Sequence, residues 1–348
     1  MADRLRRVPW RALVALVTIL TGCGYLWAHR AQVTGLALRE GAGVPVGLLT
    51  AFAGTVTGGL AWREVLAALG TPLGRLPALA SYHSSQIGKY LPGGVGPVAV
   101  QITWSRSIGA TPALVMRSYL LSLMLSSASG LAVGGLMMAP RWPLGGGLLA
   151  SAGTAGSVLL LSRRGAAALG AVLSRLPKAP IPAIPVGARW GRAYALMVAG
   201  WLLLGLHVGV LLDGSPTGSA AAVGAAICAT VTGAVAVVLP GGLGAREGAL
   251  YWFLTRTATA GPAGVTVALS SRMITLVTDI VLGLVATAVL LHLRRKAGTG
   301  PVPRPDPPTP PTSTEGPDPH RERCPSGRNE RDERHGEQGF APATPKRQ

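Results

Sequence analysis

The sequence predicts an all-α, polytopic membrane protein, and three observations lead to this fold class. Apolar residues make up 49% of the chain, whereas charged residues make up only 13%. Several apolar stretches are long enough to cross a bilayer as helices. Two short segments rich in proline and glycine interrupt them, and irregular backbone at membrane depth is tolerated only where protein buries it or it lines a wet cavity. We therefore expect 7–8 transmembrane helices and two re-entrant segments.

Seven segments have the length and hydropathy of membrane spans. They cover residues 12–28, 44–62, 112–139, 144–162, 193–212, 219–239 and 263–293. The last segment is long enough to tilt or to break. Glycines four residues apart, which allow helices to approach closely, occur in several spans. In a chain with 48 glycines, chance spacing is the better explanation for any one pair among Gly54/Gly58, Gly130/Gly134 and Gly205/Gly209.

Arginine clusters set the predicted orientation. The basic segment 4–11 places the N-terminus in the cytoplasm, and the basic loop 163–192 falls on the same side. Seven crossings would then leave the tail outside, whereas the basic run 294–296 favours the inside. The span count is therefore expected to be wrong by one. The hidden crossing is expected at the second Pro-Gly segment or at a break in 263–293.

The chain divides into a transmembrane domain, residues 1–293, and a tail, residues 294–348. Prolines between 177 and 185 predict a stiff, extended linker between two pseudo-related halves, about 1–176 and 186–293. Each half carries one Pro-Gly motif, and interrupted segments at corresponding positions of two halves are typical of transporter binding sites. The tail is Pro-rich and then charged with both signs, so we expect it to be disordered and cytoplasmic.

The charge balance favours lipid over nucleic acid as a partner. Up to residue 293 there are 21 Lys or Arg and six acidic residues, an excess of 15 within the total net charge of +18. The positive-inside rule explains most of these cations. They lie between apolar spans and form no basic domain, so nucleic acid is not expected to bind. Such an excess suits the anionic head groups of plasma-membrane lipids.

The sequence indicates no cofactor and no metal. Its cysteines, Cys23, Cys228 and Cys324, have neither disulfide nor metal-ligand spacing. No Gly-x-x-x-x-Gly-Lys-Ser/Thr element occurs, so no nucleotide site is expected. The residues before Cys23 resemble a bacterial lipoprotein processing site, but apolar residues continue past it, which favours a membrane span.

The first Pro-Gly motif joins a lysine to backbone that cannot stay helical. Its candidate site residues are Lys89, Tyr90, Pro92, Gly93, Gly94 and Gly96, with Arg106 downstream. A lysine beside freed backbone amides suits a phosphate group, because fixed charge and unshielded donors act together. The alternative is that Lys89 only extends to the membrane interface.

The second motif repeats the first and adds two opposite charges. Its candidate residues are Pro240, Gly241, Gly242, Gly244, Arg246 and Glu247, and a helix is expected to start near Ala245. Glu247 in the first turn could only stabilise that helix end. Alternatively, Arg246 and the helix N-terminus bind a phosphodiester while Glu247 orients Arg246 or meets a cationic head group. The depth of the charges favours this functional interpretation.

Two ions lie in the last apolar segment. Arg272 and Asp279 are seven residues apart, so they share a helix face but are separated by about 10 Å along its axis. They cannot pair directly, and each needs a partner on another helix or in water. His207 stands alone in mid-span and is interpreted as a packing residue with satisfied hydrogen bonds.

These motifs resemble those of the lysylphosphatidylglycerol synthase transmembrane region family. The resemblance is carried by Lys89-Tyr90-Leu91-Pro92-Gly93, by the segment 239–249 and by Arg272-Met273-Ile274, and it spans roughly residues 12–293. It implies a helical, flippase-like domain that moves charged lipids, such as aminoacylated phosphatidylglycerol, between leaflets. It leaves polyprenyl-linked sugars open as further substrates. Nothing after residue 293 is expected to form the soluble aminoacyl-transfer domain, so enzyme activity is not expected.

The expected function is therefore lipid transport. Lys89, Arg106, Arg246 and Arg272 would guide an anionic head group, with Glu247 and Asp279 as counter-charges. One alternative is an intramembrane enzyme acting on lipid-linked sugars or phosphates, although only two intramembrane carboxylates are available for such catalysis. Another is a non-catalytic partner of a cell-envelope enzyme. A second copy of the chain is a further possible partner.

Overall fold

The computed structural model describes residues 43–90, 96–105, 108–173, 187–212, 216–236, 244–257 and 263–298. These residues belong to one compact unit and contain helices and turns but no strand. The expected first span, the Pro-rich linker 177–185, Cys23 and the tail beyond residue 298 lie outside the described residues.

The described helices follow one another along the chain. They are α1 (Gly43–Ala68), α2 (Arg75–Gln86), a 3₁₀ turn (Ile87–Tyr90), α3 (Gly96–Ser105), α4 (Pro112–Met138), α5 (Pro143–Leu161), α6 (Arg163–Leu173), α7 (Ala188–Leu211), α8 (Pro216–Val235), α9 (Ala245–Arg256) and α10 (Ala263–Gly298). Local sequence explains several starts. Proline opens α4, α5 and α8, because a missing N–H costs nothing in the first helical turn. Thr111 also caps α4, accepting a hydrogen bond from the Leu114 amide at 3.3 Å.

Five helices confirm the expectation of a helical membrane protein. α1, α4, α5, α7 and α10 are long and apolar enough to cross a bilayer, and each overlaps an expected span. α8 contains a shorter apolar stretch, Ser219–Val235, where the sequence predicts a complete span. α10 is continuous, so the predicted alternative of a break in 263–293 is wrong. It also runs to Gly298, so residues 294–298, which the sequence assigns to a disordered tail, are helical.

α1 and α7 pack antiparallel through a glycine contact. Glu64 near the C-terminus of α1 pairs with Arg192 near the N-terminus of α7. Further along, a Cβ added to Gly54 would lie 2.6 Å from the amide nitrogen of Leu204. Backbone meets backbone here, and only glycine leaves room for that approach.

The other two glycine pairs also lie at helix contacts. A Cβ on Gly134 of α4 would lie 2.6 Å from the sulfur of Cys228, and one on Gly205 of α7 would lie 2.8 Å from Cγ1 of Val223. The other glycine of each pair is crowded by α8 in the same way. Chance spacing is therefore the wrong explanation for these pairs, because each lies where two helices touch.

α2 and α3 form a hairpin around the first Pro-Gly motif. Their backbones meet at the 3₁₀ turn, since a Cβ on Gly88 would lie 2.5 Å from the carbonyl carbon of Gly96. The body of α2 packs with the C-terminal parts of α1 and α10, in a buried cluster that includes Leu66, Ala78 and Leu290. This first hairpin therefore opens toward the end of the bundle where α1 and α10 finish.

α8 and α9 form a second hairpin around the second motif. A Cβ on Gly233 near the end of α8 would lie 2.9 Å from Cβ of Arg246 in the first turn of α9. The far end of α9 reaches the α4–α5 connection. There the rings of Trp252 and Trp142 meet edge-on, with their centroids 5.3 Å apart. α4 and α7 both run antiparallel to α8, so they are parallel to each other. Because α7 runs antiparallel to α1, α4 also runs antiparallel to α1, and these two helices end at opposite ends of the bundle. The two hairpins therefore open toward opposite ends of the bundle.

Gly54→Ala should destabilise the protein by about 1–3 kcal/mol, because the new methyl group would push α1 and α7 apart. Gly147→Ala on α5 is the matched control, since a Cβ at that position would meet no atom of another helix within 4 Å. Thermal unfolding of the full chain in detergent, followed by size-exclusion chromatography, measures both variants. Equal unfolding midpoints for the two variants would contradict the close packing of α1 on α7.

Candidate functional site

A cavity of about 290 Å³ lies inside the bundle between the two hairpins. Its walls come from both hairpins and from α1, α4, α7 and α10. Among the described residues, its charged lining consists of Lys89, Arg246, Arg272 and Asp279. Each of these four was a predicted site residue, and the fold brings all of them to one cavity. The lining is cationic, with three positive charges and one negative charge.

Lys89 and Asp279 connect the first hairpin to α10. The lysine Nζ lies 3.3 Å from Oδ2 and 3.4 Å from Oδ1 of Asp279. Asp279 is buried, whereas 40% of the Lys89 side chain is exposed. A charge-assisted hydrogen bond is usually about 2.7–2.9 Å long, so this contact is loose. The Lys89 ammonium group therefore faces a buried carboxylate.

Arg272 and Glu247 connect the second hairpin to the same helix. Nε of Arg272 lies 3.6 Å from Oε1 of Glu247, and both side chains are largely buried. The other carboxylate oxygen of Glu247 accepts a hydrogen bond from the Gly244 amide at 2.8 Å. Glu247 thus caps α9, as the dipole argument expects, and also meets a cation. The sequence predicts that Glu247 orients Arg246. The described ion pair of Glu247 is with Arg272 instead.

Arg246 is held by hydroxyl groups of α10. One terminal nitrogen donates to Oγ1 of Thr275 at 2.8 Å, and the other donates to Oγ of Ser271 at 3.3 Å. All three residues are buried. Thr275 and Ser271 are four residues apart, so their hydroxyls lie one turn apart on the same face. These contacts orient the guanidinium group.

His207 continues this hydrogen-bond chain into α7. Its Nε2 lies 2.8 Å from Oγ of Ser271, and its Nδ1 bonds the Leu204 carbonyl of its own helix. Nδ1 must donate to that carbonyl, so Nε2 accepts from Ser271, whose oxygen in turn accepts from Arg246. The prediction of a satisfied packing residue is confirmed. The structure adds that this histidine fixes the hydroxyl that orients Arg246.

The predicted ions of α10 find partners on other elements, as expected. Arg272 and Asp279 do not meet each other but pair with α9 and with the 3₁₀ turn. Gly244 has φ of 79°, a backbone conformation that favours glycine, directly before α9 begins at the expected Ala245. Gly96 begins α3. Several predicted residues lie outside the described residues, namely Pro92, Gly93, Gly94, Arg106, Pro240, Gly241, Gly242 and the side chain of Tyr90.

Sequence reasoning missed the polar residues that surround these charges. Tyr82 and Gln86 of α2, Tyr119 and Ser122 of α4 and Trp201 of α7 line the cavity. His83, next to Tyr82, is buried, and both of its ring nitrogens lack a hydrogen-bond partner among the described residues. The available signal was a run of polar residues, 82–86, just before the first motif in an otherwise apolar region.

Comparisons of the chain with family models, curated proteins and solved structures give no match. The resemblance to the lysylphosphatidylglycerol synthase transmembrane region family therefore stays a prediction. Within the described part of the chain, no three His, Cys, Asp or Glu side chains come together in a way that could hold a metal ion.

Glu247→Gln should destabilise the protein on the order of 3 kcal/mol, because it removes a largely buried carboxylate that pairs with Arg272. The double variant Glu247→Gln/Arg272→Gln should lose less than the sum of the two single variants, since it removes both charges together. Unfolding midpoints of the four proteins in detergent measure this coupling. Strictly additive effects would mean that the two side chains do not stabilise the fold as a pair.

Proposed function

We propose that this chain is a flippase-like plasma-membrane protein that binds the phosphate of an anionic lipid in its internal cavity and moves the lipid between leaflets. The observation that carries the proposal is the convergence of Lys89, Arg246 and Arg272 on one cavity. Buried cations far from any bulk water are costly and are retained where they serve binding or transport.

Arg246 has the position and geometry of an anion contact. Lys89 pairs with Asp279, and Arg272 pairs with Glu247. The Arg246 guanidinium group lines the cavity, and the hydroxyl groups of Thr275 and Ser271 orient it there. A phosphodiester carries one negative charge and accepts hydrogen bonds from a guanidinium group in a bidentate manner. Arg246 is therefore the proposed primary contact of the lipid phosphate.

The size of the cavity fits a head group and excludes a whole lipid. Its volume of about 290 Å³ is at the lower limit of cavities that enclose drug-sized molecules. Acyl chains would have to stay outside, in the hydrocarbon of the bilayer. Transport of this kind moves the polar group through protein while the chains remain in lipid.

The hairpins supply the predicted re-entrant segments in this proposal. α2, α3 and α9 contain 12, 10 and 12 residues, which correspond to about 18, 15 and 18 Å of helix, whereas a bilayer core is about 30 Å thick. The hairpins open toward opposite ends of the bundle, so the first would enter from the cytoplasmic side and the second from the outer side. Both motifs would then lie near the bilayer centre.

This topology removes the conflict over the tail. If α8 turns back, the crossings are α1, α4, α5, α7, α10 and the predicted span 12–28, which is an even number. The tail then returns to the cytoplasmic side, in agreement with the basic run 294–296. The seven spans predicted from the sequence would then be one too many, and no hidden crossing would be needed.

The sequence resemblance points in the same direction. The resemblance to the lysylphosphatidylglycerol synthase transmembrane region family makes aminoacylated phosphatidylglycerol and polyprenyl-linked lipids the proposed substrate classes. The intramembrane enzyme, the non-catalytic partner of a cell-envelope enzyme and the homodimer all stay predictions. The contacts of Glu247 and Asp279 favour transport, since each carboxylate pairs with a cation.

Arg246→Ala should abolish transport while most of the protein still folds, because it removes the proposed phosphate contact. Arg246→Lys should restore only part of the activity, since lysine lacks the bidentate fork. A leaflet-access assay with fluorescent phosphatidylglycerol in proteoliposomes measures transport, divided by the amount of folded protein.

Arg256→Ala is the matched control on the same helix. Arg256 is exposed at the far end of α9, where its Cζ atom lies 5.3 Å from the centroid of the Trp252 ring. Its loss should leave transport close to that of the wild type. Normal transport by Arg246→Ala, per folded molecule, would show that Arg246 only fastens α9 to α10 and would overturn the proposed function.

A further inference from the structure

We propose that a groove on the outside of the bundle, between α5 and α6, binds one anionic phospholipid. The groove has a volume of about 830 Å³, and residues between 150 and 168 line it. Among the described residues, neither of these two helices lines the internal cavity. The groove is therefore a second lipid site, and its existence does not depend on the proposed transport function.

The groove follows the C-terminal part of α5 and is largely apolar. Small side chains, among them Ala150 and Thr154, line its first part, and Val158 and Leu159 line the part near the helix end. From Ala150 to Ser162 it covers about 18 Å of helix. α5 is long and apolar enough to cross a bilayer, and one leaflet contributes about 15 Å of hydrocarbon. The length of the groove thus matches the acyl-chain region of one leaflet.

α6 brings a cation to the end of this groove. Ser162 caps α6, because its Oγ accepts a hydrogen bond from the Gly165 amide at 3.1 Å. A Cβ on Gly165 would overlap the carbonyl oxygen of Leu159, so only glycine lets α6 approach the end of α5 this closely. Arg164, next to this contact, lines the groove, and Arg163 beside it is exposed. The local fold therefore fixes where the arginines lie.

The charge at this end of the groove favours an anion. Arg163 and Arg164 occupy the first turn of α6, which contains no acidic residue. Cations are disfavoured in a first helical turn, because the N-terminus of a helix already carries partial positive charge. The two arginines therefore do not stabilise α6, and none of the described ion pairs involves them. A lipid phosphate would compensate their charge and accept hydrogen bonds from a guanidinium group.

The direction of α5 places the arginines at a membrane surface. α5 follows α4 after the short connection 139–142, and a Cβ on Gly153 would overlap the amide nitrogen of Ala132, so the two helices are antiparallel. α5 therefore ends at the same end of the bundle as α1. With the N-terminus in the cytoplasm, as the sequence predicts, Arg163 and Arg164 meet the head groups of the cytoplasmic leaflet, which contains anionic lipids. The phosphate would lie at Arg164, with one acyl chain along α5.

A transmembrane helix of a second copy is the competing occupant. Such a helix would be expected to contact α5 along all of Pro143–Leu161, whereas the groove begins at Ala150 and ends against α6. A second copy also lacks a suitable negative charge in its described part. The acidic residues there are Glu64, Glu247 and Asp279, and each pairs with a cation of its own chain. Charge complementarity therefore favours an anionic lipid.

Photoreactive phospholipids test this site in the full chain. The protein is placed in nanodiscs with phosphatidylglycerol or phosphatidylcholine that carries a diazirine in one acyl chain, and mass spectrometry identifies the labelled peptides. An arginine near the membrane surface favours an anionic lipid about fivefold. Phosphatidylglycerol should therefore label residues 150–168 at least fivefold more strongly than phosphatidylcholine does. Equal labelling by the two lipids would show that the groove holds only bulk lipid and would overturn the proposal.

Two variants separate the arginine from the groove. Arg164→Gln should lower the preference for phosphatidylglycerol about fivefold. Ala155→Trp should reduce labelling by both lipids, because the indole would fill the groove. Both residues are exposed, so neither change should prevent folding. If Arg164→Gln keeps the full preference, Arg164 does not bind the lipid and the proposal fails.

Arg75→Gln is the matched control. Arg75 is an exposed arginine in the first turn of α2, at the same end of the bundle, and it does not line the groove. This variant should be labelled like the wild type. A fivefold loss here as well would assign the preference to general surface charge and overturn the specific site.

The remaining outcomes separate this site from the internal cavity and from protein occupants. Arg246→Ala should keep the groove labelling, because Arg246 lies in the internal cavity. Loss of groove labelling in that variant would contradict a separate site. Crosslinks from a diazirine amino acid at position 155 to a second chain, or to the predicted span 12–28, in place of crosslinks to lipid would assign the groove to protein and overturn the proposal.

Discussion

The structure depends on charge compensation along one apolar helix, α10. Arg272 and Asp279 of α10 are two turns apart and cannot neutralise each other. Each pairs with a side chain next to a Pro-Gly motif. Arg272 pairs with Glu247 on α9, and Asp279 pairs with Lys89 in the 3₁₀ turn. α10 thereby holds the two hairpins on one face. The cavity between them follows from that arrangement.

Hydroxyl groups complete this attachment without using further charge. Ser271, directly before Arg272, and Thr275, one turn further along α10, accept hydrogen bonds from Arg246, while Ser271 also meets His207 on α7. These hydroxyl groups orient the guanidinium. In the proposed function, this group would contact the lipid phosphate in a region of low dielectric constant, where a charge–charge interaction is stronger than in water. The residues that fasten the second hairpin would then also orient the group that contacts the phosphate.

The sequence was sufficient to predict five of the seven proposed spans, the start of α9 at Ala245 and the need of Arg272 and Asp279 for partners on other elements. These features follow from hydropathy, helix breakers and helix geometry. It was not sufficient to predict the direction of the hairpins, since a 20-residue apolar helix that starts at Pro216 is compatible with crossing or turning back. Nor could it predict that Ser271 contacts Arg246. That contact depends on how α9 packs on α10, which no local pattern encodes.

The central claim is that the two hairpins meet on α10 and share one phosphate-binding cavity. Cryo-electron microscopy of the full chain in nanodiscs that contain phosphatidylglycerol tests it most directly. Both hairpins should contact α10, and phosphate density should lie within hydrogen-bond distance of Arg246 or Lys89. Continuous crossing of the membrane by α8 and α9, or lipid density only on the outer surface of the bundle, would contradict it.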